Sequence, residues 1–104
     1  MPTHKISVTV EADVIRVQPE TLVMTTLDEA HWTPTNGRRF TIEFDGDGPF
    51  GNRRLDHAAA TGHQKPRMKG RFKYTVVSEE NPTLRLDPVI IVDPPPTTGG
   101  EGQE

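Results

Sequence analysis

Residues 5–11 alternate strictly, with Ile6, Val8 and Val10 on one face and Ser7, Thr9 and Glu11 on the other. A period of two buries one face of an extended chain and leaves the other wet, so the segment predicts a half-buried β-strand. Residues 14–17 and 21–26 are two further short runs rich in β-branched side chains, and Pro19 and Glu20 between them predict a turn. Residues 30–33 carry the single tryptophan, Trp32, and lead through Pro34-Thr35-Asn36-Gly37 into residues 40–44, where Phe40, Ile42 and Phe44 alternate with Thr41 and Glu43. Asn-Gly readily supplies positive φ, so these two strands are expected to form a hairpin.

Residues 45–52 form a Gly-rich acidic loop, and residues 54–61, centred on Ala58, Ala59 and Ala60, are the one stretch with helix-forming character. After a basic connector at 62–70, residues 71–77 predict a strand with Phe72, Tyr74 and Val76 turned to the core. Asn81-Pro82 marks a turn, and the unbroken apolar run at 89–92 suits a strand covered on both faces. The Pro- and Gly-rich tail at 94–104 lacks the apolar surface to order itself and is expected to be flexible. About seven short strands with frequent turn signals predict an all-β Greek-key β-sandwich, with one short helical turn in the long loop. An open barrel is the alternative architecture.

Composition narrows this further. A chain of 104 residues closes one core, so a single domain is expected over residues 1–93. Cysteine is absent, which removes disulfides, thiolate metal ligands and cysteine nucleophiles. No run reaches the ~18 apolar residues of a membrane span, and the first residues lead into a strand without a secretory leader pattern, so the expectation is a cytoplasmic protein that does not enter a membrane. The net charge of −3 is unevenly spread: nine basic against four acidic residues between 38 and 73 give +5, leaving −8 for the rest.

Three stretches carry a family resemblance: Val14-Ile15-Arg16-Val17-Gln18-Pro19 followed by Thr21-Leu22-Val23-Met24; the Trp32 strand running into Phe40-Thr41-Ile42-Glu43-Phe44; and Gly70-Arg71-Phe72-Lys73-Tyr74-Thr75-Val76 followed by Val89-Ile90-Ile91-Val92. In order and spacing they resemble the cupredoxins, the plastocyanin and azurin group, across most of residues 6–92. The resemblance implies a copper site with its first histidine near Arg39 and Phe40, its cysteine at Val76, and its remaining histidine and methionine in the loop from Ser78 to Arg85. None of the residues at those positions is a histidine, cysteine or methionine. A blue-copper centre needs thiolate and imidazole donors, so the resemblance implies the fold without the metal, and no cofactor is expected.

Other chemistry is sparse. His57 and His63, flanked by Asp56 and Met68, are a candidate divalent-metal pair, although their spacing matches no established ligand pattern. Asp45-Gly46-Asp47-Gly48 starts like a calcium loop and then departs from it at Pro49, Phe50 and Asp56, which favours a turn. Arg53, Arg54, Lys65, Arg67, Lys69, Arg71 and Lys73 are a candidate anion-binding patch for nucleic acid or an acidic protein. The two serines, Ser7 and Ser78, lie in no nucleophile motif, and no phosphate loop precedes a helix, so no enzyme is expected. The sequence therefore favours a non-catalytic binding or assembly module acting through its sheet edges or its long loop on an unknown protein partner or a second copy of itself, a homodimer. Polyanion binding through 53–73 and metal binding at His57 and His63 are the alternatives.

Overall fold

A computed structural model describes residues 2–94; the predicted tail, apart from its first residue, lies outside the described residues. The alternating segments become strands: β1 (Thr3–Val10), β2 (Ile15–Gln18), β3 (Thr21–Thr25), β4 (Glu29–Pro34), β5 (Phe40–Phe44), β6 (Arg54–Leu55), β7 (Gly70–Ser78), β8 (Arg85–Leu86) and β9 (Val89–Asp93), with one helix, α1 (His57–Thr61). They form two layers. One is a three-stranded sheet in the order β2-β1-β4; the other runs β3-β9-β7-β5-β6, with β8 added on β7. Ile6, Val8 and Val10 are sealed from solvent, as the alternation in β1 requires, and they share a single core with Trp32, Phe40, Ile42, Tyr74, Val76 and Ile90. Trp32 lies edge-on to Tyr74, with ring centres 5.5 Å apart, and its Nε1–H donates to Tyr74 Oη at 3.2 Å. The polar tip of each large ring is thereby satisfied inside the core. Burial pushes the Tyr74 hydroxyl well above its ordinary pKa.

Four expectations are corrected. The Trp32 strand and the Phe40 strand are not a hairpin: β4 pairs in parallel with β1, while β5 pairs with β7 in the other sheet. Gly37 does take positive φ, but the turn is held to β1, because Asn36 Nδ2 donates to the Val10 carbonyl at 2.8 Å and the Thr35 N–H to the Val8 carbonyl at 2.9 Å. The chain therefore crosses between layers there. Helical structure begins at His57 rather than residue 54, since Arg54 and Leu55 extend the sheet against Glu43 and Ile42 and Asp56 caps the helix by accepting the Ala59 N–H at 2.8 Å.

The run at 89–92 is not covered throughout, because Ile91 remains half-exposed while Ile90 and Val92 are buried. Phe72 is likewise half-buried rather than a core residue. β5 ends at Phe44, opposite Tyr74, so the first residues of β7 have β9 on one side and no strand on the other. This unequal strand length opens the surface described next.

Candidate functional site

The start of β5 and the end of β7 meet at one pole of the sandwich, where Phe40 lies opposite Ser78 and Ile42 opposite Val76. Phe40 and Val76 are both fully buried and present only carbon. His57 covers Phe40, with ring centres 4.9 Å apart, and its Nδ1 accepts the Phe40 N–H at 3.2 Å. The following loop is clamped down: the Glu79 N–H donates to the Arg39 carbonyl at 3.2 Å, and Arg39–Glu79 and Arg38–Glu80 ion pairs close at 3.0 and 3.4 Å. The imidazole of His57, its Nδ1 engaged by the Phe40 N–H, is no donor set for a soft metal by itself, and among the described residues no group of three or more His, Asp or Glu side chains that could hold a metal joins it.

The opposite pole is open. β5 gives way after Phe44 to the Asp45–Gly48 turn, and β7 continues alongside it, leaving a cleft of about 520 Å³ between them. Phe44, Phe72 and Met68 give it an apolar lining, and Asp45 and Asp47 from the turn and Arg71 and Lys73 from β7 add charge of both signs. Met68 is 52% exposed, among the most exposed large apolar side chains of the described residues. Gly48, at φ 66°, is packed so closely on the Phe44 ring that a Cβ there would stand 2.6 Å from Cγ. Among the described residues, neither Arg71 nor Lys73 has a carboxylate within ion-pair distance.

The backbone contributes as well. The Tyr74 N–H donates to the Pro88 carbonyl, so the even residues of β7 bond towards β9 and the odd ones towards the β5 side. From Thr75 onward the odd residues meet β5, but at Arg71 that lane holds no strand. The register carries through the Phe44–Tyr74 pair, which sets Asp45 against Lys73, so the N–H and C=O groups of Arg71 are the ones that face the cleft as a sheet edge.

The predicted basic residues occupy different neighbourhoods. Arg71 and Lys73 line the cleft; Arg53 and Arg54 lie with Arg85 around Glu43, and Arg54 Nε is 3.9 Å from that carboxylate. Arg67 donates its backbone N–H to Pro49 O at 2.6 Å and lays its side chain over Gly51. Lys69 is exposed just before β7, and Lys65 is exposed beside Gln64, whose backbone bridges to Ala30 on the other sheet.

The two candidate metal histidines also have different neighbours. His57 is engaged by Phe40, whereas His63 stacks on His31, with ring centres 4.9 Å apart, and bonds Glu29 Oε1 through Nδ1 at 3.1 Å. Burial, followed by the charges of His63 and Lys5, holds the His31 imidazole below its ordinary pKa. Reading the sequence assigns no role to Glu29 or to His31 beside His63, nor to the exposed side of Phe72, and it sets Met68 beside the histidine pair, whereas Met68 lines the cleft. His31 alternates with buried Ala30 and Trp32 and so belongs to the outer face, but its pairing with His63 depends on a long-range bridge.

The chain matches no protein-family model and no curated protein sequence. Among solved structures it is similar to amicyanin, a cupredoxin. The reduced Cu(I) form at pH 4 of a proline-to-glycine mutant aligns with a TM-score of 0.52 at 15% identity, covering 86% of this chain and 82% of that one. A methionine-to-alanine mutant of amicyanin with Cu(I) gives the same values. With two facing sheets and this strand order, the chain has a cupredoxin-like β-sandwich fold.

Proposed function

We propose that the protein is a non-catalytic binding module that takes an extended protein segment into the cleft between the Asp45–Gly48 turn and β7. The observation that carries this reading is that β7 outruns β5, so the edge of β7 at Arg71 lies beside the apolar lining of Phe44, Phe72 and Met68. A segment adding as a short strand in that lane gains main-chain hydrogen bonds, and its alternate side chains select it. One face meets Phe72 and Met68 and calls for an apolar residue. The other passes Arg71 and Lys73 and calls for a carboxylate.

Long polyanions fit less well, since Glu43, Asp45 and Asp87 are interspersed among the same cations. The test is selection of a displayed random-peptide library on the purified protein. The expected winners combine an apolar residue with a neighbouring acid and lose binding to an Arg71→Glu, Lys73→Glu variant of unchanged far-ultraviolet dichroism. Winners that bind this variant equally well, or none above background, overturn the proposal.

A further inference from the structure

The outer face of β4 carries Glu29, His31 and Thr33 in alternation, and the connector after α1 brings His63 onto it. That connector is pinned. Gln64 and Ala30 exchange two backbone hydrogen bonds, N–H to carbonyl at 2.9 and 2.8 Å, and Gln64 Nε2 donates to the Ala59 carbonyl at 2.8 Å. His63 is thus held in place by the backbone on its C-terminal side and by Glu29 through its own ring.

The two rings have centres 4.9 Å apart and are inclined at 39°. Two imidazole nitrogens holding one ion at about 2.0–2.1 Å, at an angle of roughly 90–110°, place their ring centres about 4.5–5.2 Å apart. The observed spacing lies within that interval. Each ring also has its Nδ1 engaged, His63 by the Glu29 carboxylate at 3.1 Å and His31 by Thr33 Oγ1 at 3.4 Å, so among the described residues Nε2 is left without a hydrogen-bond partner on both. A carboxylate on the far nitrogen of a histidine is the arrangement that orients an imidazole for metal binding and raises its basicity.

We propose that His31 and His63 bind a borderline divalent transition-metal ion of the Zn(II) class through their Nε2 atoms, with Glu29 as the positioning residue for His63. The pair supplies two ligands, and water completes the shell, since among the described residues no group of three or more His, Asp or Glu side chains is placed to hold one ion together. Lys5 opposes a cation, being in register with His31 on the same face, and the Glu29 carboxylate offsets it. The site is distinct from the pole where Phe40 and Val76 are buried and from the cleft at Arg71, so it stands whether or not the peptide-binding reading does.

The test is calorimetric titration of the intact protein with Zn(II), with imidazole nitrogen chemical shifts followed in parallel. One saturable equivalent is expected, shifting Nε2 of His31 and His63. His31→Ala and His63→Ala should each weaken Zn(II) binding at least ~10-fold, Glu29→Gln by about 10-fold, and His57→Ala by less than about twofold. All four side chains are at least partly exposed, so the variants should fold, and far-ultraviolet dichroism checks it. Absence of saturable uptake, or binding that survives both the His31 and His63 substitutions, overturns the assignment.

Discussion

Replacing Asp28 with alanine removes a side chain that ties the two sheets together. Asp28 is 6% exposed, accepts the Thr25 N–H at 3.0 Å and the Thr25 hydroxyl at 3.1 Å, and is met by His4 Nε2 at 2.9 Å. Thr25 ends β3 in one sheet and His4 lies near the start of β1 in the other. Losing the acceptor strands a partly buried backbone donor, which costs about 1–3 kcal/mol, and the contact with the part-exposed His4 adds ~1 kcal/mol at most. Asp28→Ala is therefore expected to lose about 2 kcal/mol, lowering Tm by roughly 8–16 °C in a domain of this size.

The loss should depend on pH with a definite sign. The Thr25 N–H, and after it His4, hold the Asp28 carboxyl below its ordinary 3.8. A group with a depressed folded pKa contributes stability above the unfolded value and loses it as pH falls through the folded one. Urea unfolding of both proteins, near neutral pH and again in acid below 3.8, should show the difference shrinking as the pH falls. A difference under about 0.5 kcal/mol at neutral pH, or one that does not change into acid, would refute the reasoning.

Two further substitutions probe the core and the cleft. Trp32→Phe leaves a space beside Tyr74 and removes the donor to its hydroxyl, so urea denaturation should show a loss of about 1–3 kcal/mol without loss of the fold. Gly48→Ala sets a Cβ against the Phe44 ring and forces an L-residue to positive φ; thermal unfolding should show a cost of about 2–4 kcal/mol, together with altered amide shifts around the cleft. A neutral Gly48→Ala would mean that the turn does not rest on Phe44 in solution.

Much of the fold could be read from local pattern, because alternation is a property of each strand by itself. Phe40, Ile42 and Phe44 are buried as their spacing requires, and β5 begins and ends where that spacing does. Pairing is a different matter. Asn36-Gly37 makes its turn, yet whether the next strand folds back or crosses to the other layer depends on Asn36 finding the Val10 carbonyl, 26 residues away. Phe72 has the same local pattern as Tyr74 and Val76, and only the point where β5 stops decides that it lines a cleft. The side chains of the candidate site were similarly half-visible: Arg71 and Lys73 follow from strand parity, while Met68 and the open lane follow from unequal strand lengths. His63 stands out in the sequence, but its partner His31 comes from β4, and nothing near either residue announces the contact.

The proposed binding surface is the open cleft beside β7, and not the pole where Phe40 and Val76 are buried. The most direct measurement is amide chemical-shift mapping of the labelled protein as a library-selected peptide is added. Perturbations centred on residues 44–48 and 68–73, with residues 38–40 and 79–84 unmoved, are the predicted result. Shifts centred on 38–40 and 79–84, with the cleft silent, would contradict it.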